Sequence, residues 1–130
     1  MTPLNRDDAP ESNLRGMRIL LVEDSWQLGL ALKSLLRSFE AEVDGPVATT
    51  TDAEHLISAH VPDAAVVDIN LRQGERSYSL IDKLVDRGVP VIVTSGYSDL
   101  PMVPAKAHIL EKPISEEKLI AILRSVAGTQ

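Results

Sequence analysis

The chain has 130 residues, of which 44% are hydrophobic and 25% charged, enough to bury one globular core. Its net charge of −6 leaves no basic footprint for a nucleic-acid surface, and the absence of cysteine excludes disulfides, thiolate metal sites and thiol nucleophiles. No apolar run is long enough to span a bilayer.

Residues 1–16, MTPLNRDDAPESNLRG, are polar and lack a signal-like apolar core, so a flexible tail is expected ahead of a domain over 17–128. MRILLV (17–22) is too uniformly apolar for an exposed strand and reads as buried on both faces, as in a parallel sheet. It ends in Glu23-Asp24-Ser25. Leu28, Leu32, Leu35, Leu36 and Phe39 then recur at helical spacing over 26–39. A weaker strand is expected over 42–47, bent at Gly45-Pro46. Thr51-Asp52-Ala53-Glu54 matches a capping box and predicts a short helix from there to about Ala59. AAVVD (64–68) is the third strand, followed by the polar loop LRQGER. A helix from about Tyr78 carries Leu80, Ile81, Leu84 and Val85, with Gly88 placed to end it. VIVTS (91–95) and HIL (108–110) are the last strands, and a final helix from Ser115 shows Leu119, Ile122, Leu123 and Val126 on one face, with Gly128 beyond.

Strand and helix therefore alternate, which predicts an α/β fold: a parallel sheet with helices on both faces. Ligands of such sheets gather beyond the carboxyl ends of the strands, where the strand order reverses. Those ends carry Glu23 and Asp24, Asp68, Thr94 and Ser95, and Lys112. Carboxylates brought together repel, by roughly 4 kcal/mol per pair at about 4 Å and an effective dielectric near 20. A divalent cation relieves that repulsion, and an all-oxygen donor set with room for water suits Mg²⁺. One free carboxylate beside hydroxyl and ammonium donors suits phosphoryl transfer to form an aspartyl phosphate. Singly, each residue has a plainer explanation: Asp24 as a helix cap, Glu23 as a solvated charge, Asp68 and Ser95 as turn residues, Lys112 as a surface lysine. Their joint placement favours function.

LLVEDS, VVDINL, PVIVTSGY and EKP, with 44 residues from Asp24 to Asp68 (68 − 24), together resemble the receiver domain of bacterial response regulators over about residues 17–127. The resemblance implies a flavodoxin-like, doubly wound, five-stranded parallel sheet of order 2-1-3-4-5 with about five helices. It also implies that Asp68 accepts phosphate from a phosphohistidine and that Asp68, Glu23, Asp24 and the Asn70 backbone carbonyl hold Mg²⁺, with Mn²⁺ as a substitute. Ser95, followed by the small Gly96, binds a phosphoryl oxygen in that pattern, with Thr94 as the competing hydroxyl. Lys112 pairs with the phosphate, and Lys112-Pro113 is a candidate cis bond. Asn70 and Tyr97 would flank the path of hydrolytic water. Implied partners are a histidine kinase or histidine phosphotransfer protein, docking near Trp26, Gln27, Leu30, Pro113 and Ile114, and a downstream protein effector. Nucleic acid and membrane are not expected as partners. A cytoplasmic monomer or weak homodimer without an output domain is expected. The resemblance further implies a protein that is primarily a signalling one and catalyses its own Mg²⁺-dependent phosphorylation and dephosphorylation.

Two departures stand out. The aromatic usual three residues before the lysine is Ile109 here, and Pro101 and Pro104 oppose the helix expected between the fourth and fifth strands, since an interior proline costs about 3 kcal/mol. That helix is expected to be short or irregular. TSGY and the Gly-Pro of the second strand resemble stand-alone receivers of alphaproteobacteria. A receiver-like adaptor acting without phosphorylation is the alternative. A phosphatase with an aspartate nucleophile is a weaker one, because Asp-x-Asp does not follow the first strand.

Overall fold

The computed structural model describes residues 14–96 and 100–127. Within them the elements run β1 (Arg18–Val22), α1 (Trp26–Ser38), β2 (Glu42–Val47), α2 (Thr50–Ala59), β3 (Ala64–Asp68), α3 (Tyr78–Asp86), β4 (Val91–Ser95), β5 (His108–Glu111) and α4 (Glu116–Ala127). All the strand pairs are parallel, in the order β2-β1-β3-β4-β5. This is the expected flavodoxin-like sheet, and its reversal point lies between β1 and β3.

The uniform apolarity of the central strands has a direct packing cause. One face of the sheet sets Ile19, Leu21, Val66 and Ile92 against Leu32 and Leu36 of α1 and Leu119, Ile120 and Leu123 of α4. The other sets Leu20, Val22, Val67 and Val93 against Ala53 and Ile57 of α2 and Leu80, Ile81 and Leu84 of α3. Every residue of β3 and of β4 is buried, including the polar ends Asp68, Thr94 and Ser95. At roughly 1.5–3 kcal/mol for each fully buried large apolar side chain, this two-sided burial fixes strand register and hence the position of the strand ends.

Several local features differ from expectation. Thr49, not Thr51, caps α2: its side chain accepts the Asp52 N–H at 3.1 Å, and the helix starts at Thr50. Both threonines precede an acidic residue three positions on, so the pattern alone does not choose between them. Ser25 caps α1 by accepting the Leu28 N–H at 3.3 Å, which leaves Asp24 free of that duty. Leu14, inside the expected tail, is only 2% exposed and joins the core, its N–H donating to the Phe39 carbonyl. Residues 100–107 form turns, closed by Val103 N–H to Leu100 O and Ala107 N–H to Pro104 O, both at 3.0 Å. The irregular segment is the one that Pro101 and Pro104 predict, and four α-helices are present among the described residues. Residues 1–13, Tyr97 and Gly128 lie outside those residues. No described helix is long and apolar enough to cross a membrane.

Gly29 of α1 marks where the helix crosses the bend of β2. A Cβ there would sit 2.8 Å and 2.9 Å from Cβ and Cγ of Pro46, a ring that cannot swing aside. Gly29→Ala is expected to lower stability by about 1–3 kcal/mol in chemical denaturation, because overpacking outweighs the ~1 kcal/mol that alanine gains in helix propensity.

Candidate functional site

Burial of β1 and β3 side by side delivers Glu23, Asp24 and Asp68 to the reversal point of the sheet. Glu23 is 4% exposed and Asp68 3%, whereas Asp24 is partly exposed. One carboxylate oxygen from each lies within 4.8 Å of the others. Lys112, on the connection from β5 to α4, enters the same pocket: Nζ stands 2.9 Å from Asp68 Oδ2 and 3.4 Å from Glu23 Oε1. The Lys112–Pro113 peptide is cis, and the Lys112 N–H donates to the Ser95 carbonyl at 2.7 Å, joining the lysine to the end of β4. The second oxygens of the two buried acids also have partners, since the Ser25 N–H donates to Glu23 Oε2 at 3.1 Å and the Asn70 N–H to Asp68 Oδ1 at 3.2 Å. Ser95, fully buried, closes β4 opposite Glu111, while Thr94 is the register partner of Asp68.

No family model matches the sequence, and no curated protein is significantly similar to it. The fold does have clear relatives among solved structures. The receiver domain of the PhyR response regulator of Erythrobacter litoralis superposes with a TM-score of 0.79 at 22% identity, covering 89% of this chain and 93% of that one. A response regulator receiver protein of Sinorhizobium medicae gives 0.76 at 25% identity, over 86% and 94% of the two chains. A CheY-like receiver domain of Methylobacillus flagellatus gives 0.74 at 27% identity, over 85% and 98%. The chain thus has the fold of response-regulator receiver domains.

The pocket carries three carboxylates against one ammonium, and the electrostatics show the imbalance. Burial pushes Glu23 from 4.5 up to about 7, the Asp68 charge adds to the effect, and the Ser25 N–H and Lys112 oppose it. Burial pulls Lys112 down, but its hydrogen bond to Asp68 and the charges of Glu23 and Asp68 outweigh that and hold it above its ordinary value. An all-oxygen, acid-rich donor set of this kind fits a hard divalent cation.

Two polar residues of the site were not singled out in the sequence. Ser77, fully buried, donates its hydroxyl to the Asp68 carbonyl at 2.7 Å and its N–H to the Ile69 carbonyl at 3.1 Å. Arg76 hydrogen-bonds the Asn70 side-chain oxygen through its guanidinium. Serine immediately before a helix reads as a cap, yet Ser77 makes no cap bond and turns back to β3 instead.

A carboxyl whose folded pKa exceeds its unfolded value contributes stability that is complete below the unfolded value and lost as pH rises through the folded one. In divalent-free buffer, Glu23 should therefore cost the fold stability progressively between pH 4.5 and about 7, on the order of 3 kcal/mol in all. Glu23→Gln is expected to remove that part of the pH slope. Urea denaturation of both proteins at about pH 5 and about pH 8 checks it, the variant gaining relative to wild type only at the higher pH.

Proposed function

We propose that this receiver accepts a phosphoryl group from a phosphohistidine onto Asp68 in a Mg²⁺-dependent reaction and passes the signal on through protein contacts. The observation that carries the reading is the convergence of Asp68 with Glu23, Asp24 and Lys112 at the strand-order reversal. Glu23, Asp24, Asp68 and the Asn70 backbone carbonyl are the residues to hold Mg²⁺ (or Mn²⁺), which when bound neutralises charge on the transferring group.

In this proposal a carboxylate oxygen of Asp68 attacks phosphorus as the phosphorus–nitrogen bond of the phosphohistidine breaks, and the imidazole leaves with its electron pair. Lys112, already 2.9 Å from Asp68 Oδ2, stays to pair with the negative phosphoryl oxygens. Ser95 supplies a hydroxyl from the end of β4, and the small Gly96 beside it leaves room for the phosphoryl group. Hydrolysis of the mixed anhydride then returns Asp68 and inorganic phosphate. Trp26 and Leu30, 65% and 42% exposed on the outer side of α1, form the surface on which a histidine kinase or phosphotransfer protein would dock.

A second reading, an adaptor acting through contacts without phosphate, draws on the turns that replace a helix over 100–107 and on Ile109 in the usual aromatic position. The two differ in one measurement. With Mg²⁺ and acetyl phosphate or a phosphoramidate, the chain is expected to gain a single phosphate by intact mass, and Asp68→Asn to gain none. Continued labelling of that variant would remove Asp68 as the acceptor, and no labelling of the wild type would favour the adaptor.

The two hydroxyls separate in the same assay. Ser95→Ala is expected to slow labelling by about 10-fold or more, as loss of a donor to a developing oxyanion does. Thr94→Val, one residue inside the strand, should leave the rate near wild type; the reverse ranking would transfer the role to Thr94.

A further inference from the structure

Asp68 and Ser77 lie nine positions apart, and the chain between them forms a closed strap. Ser77 ties its base to Asp68 and Ile69 through the two bonds described above. Farther out, Asn70 and Arg76 form an antiparallel bridge, and the Leu71 N–H donates to the Glu75 carbonyl at 2.8 Å. Gln73 and Gly74, at φ of 61° and 76°, turn the tip through the left-handed region. Ile69 and Leu71, 3% and 4% exposed, press the strap's inner side into the core shared with α2 and α3.

From this strap the Glu75 side chain reaches across to the start of α2. Its Oε1 accepts the Thr50 N–H at 3.1 Å and its Oε2 accepts the Thr50 hydroxyl at 2.6 Å. The Thr50 amide is one of the first-turn donors that have no partner inside a helix, and a carboxylate is the group best suited to it by charge. Thr49 already serves the Asp52 amide, so the two residues divide the helix start between them. A weaker main-chain bond, Arg72 N–H to Ala48 O at 3.5 Å, runs beside the clamp.

We propose that Glu75 is a positioning residue for the pocket: by clamping the strap to α2 it holds the Asn70 main chain in place beside Asp68. This rests on the Mg²⁺ and phosphoacceptor reading given above. Asn70 is the link, because its N–H holds Asp68 Oδ1 and its carbonyl is the proposed fourth ligand of the cation. Without the clamp the strap keeps its internal bonds, its apolar packing and the weak Arg72–Ala48 bond, but loses its side-chain tie to the first turn of α2. Partners that orient metal ligands in this way typically matter by 10-fold or more in metal affinity.

The test is Mg²⁺ affinity by isothermal titration calorimetry, alongside labelling rates with acetyl phosphate across Mg²⁺ concentrations. Glu75→Gln keeps the size of the side chain but leaves one acceptor oxygen for two donors. It is expected to weaken Mg²⁺ by about 10-fold and to slow labelling at low Mg²⁺, with the rate recovering at saturation. Thr50→Val should act alike, and Thr50→Ser, which keeps the hydroxyl, should retain wild-type affinity. Ile120→Val, a core change on the opposite face of the sheet, serves as the control for stability alone: a lower melting temperature with unchanged affinity. If Glu75→Gln behaves like that control while the wild type binds Mg²⁺, the clamp is overturned and the pocket reading stands. If the wild type itself has no affinity for Mg²⁺, both are overturned.

Discussion

Like charges forced together at the end of a buried sheet are the constraint on which the rest of this structure depends. Glu23 and Asp68 are almost wholly out of water, Asp24 lies at their margin, and only Lys112 among the described residues brings an opposite charge to within 4 Å of either buried acid. Two unit charges at about 4 Å repel by roughly 4 kcal/mol at an effective dielectric near 20. One ammonium shared between two carboxylates cannot cancel that for the whole cluster. The result is visible in Glu23, held up to about 7 with burial as the main cause. A fold that keeps such a cluster keeps a standing affinity for positive charge.

What holds the carboxylates together is apolar. β1, β3 and β4 are buried on both faces, and a slip of one residue would turn each side chain to the opposite face. The strands therefore stop where packing sets them, and the acids follow. Lys112 arrives by a different route, with its N–H on the Ser95 carbonyl at the neighbouring strand end. Backbone pairing thus sets where the lysine enters, and Coulomb attraction completes the approach to Asp68.

This division explains what could be read from the sequence. Uniform apolar runs announce the buried strands β1, β3 and β4, and alternation with helices places the weaker β2 and β5 around them, so the sheet and the strand-end list Glu23, Asp24, Asp68, Ser95 and Lys112 were legible. The legible features are local in sequence or follow from a general rule of parallel sheets. The Glu75–Thr50 clamp spans 25 residues and depends on a loop folding back on itself, which no periodicity encodes. Ser77 was hidden differently, since a serine before a helix has an ordinary explanation that conceals a bond to Asp68. Leu14 was missed because one apolar residue in a polar stretch carries no pattern, although burial makes it part of the core. Thr49 and Thr51 show the same limit at its smallest scale, two caps equally good in pattern and separated only by where β2 ends.

The pocket is consequently bounded by two flanks of unlike construction. Toward α2 and α3, the strap after Asp68 is bonded to itself, to the end of β3 and to the first turn of α2, so a displacement of Asn70 meets several hydrogen bonds at once. Toward β5, residues 100–107 are turns with prolines at 101 and 104, and Ile109 lies partly exposed on an edge strand. Asp68 is tied to both flanks: through the strap to α2 and α3, and through the Ile69 N–H on the Thr94 carbonyl and the Lys112 ammonium to β4 and the β5–α4 connection. On the α2 side the proposed Glu75–Thr50 clamp adds a charged tie to these bonds, and it is there that the main chain beside Asp68 is held from outside the sheet.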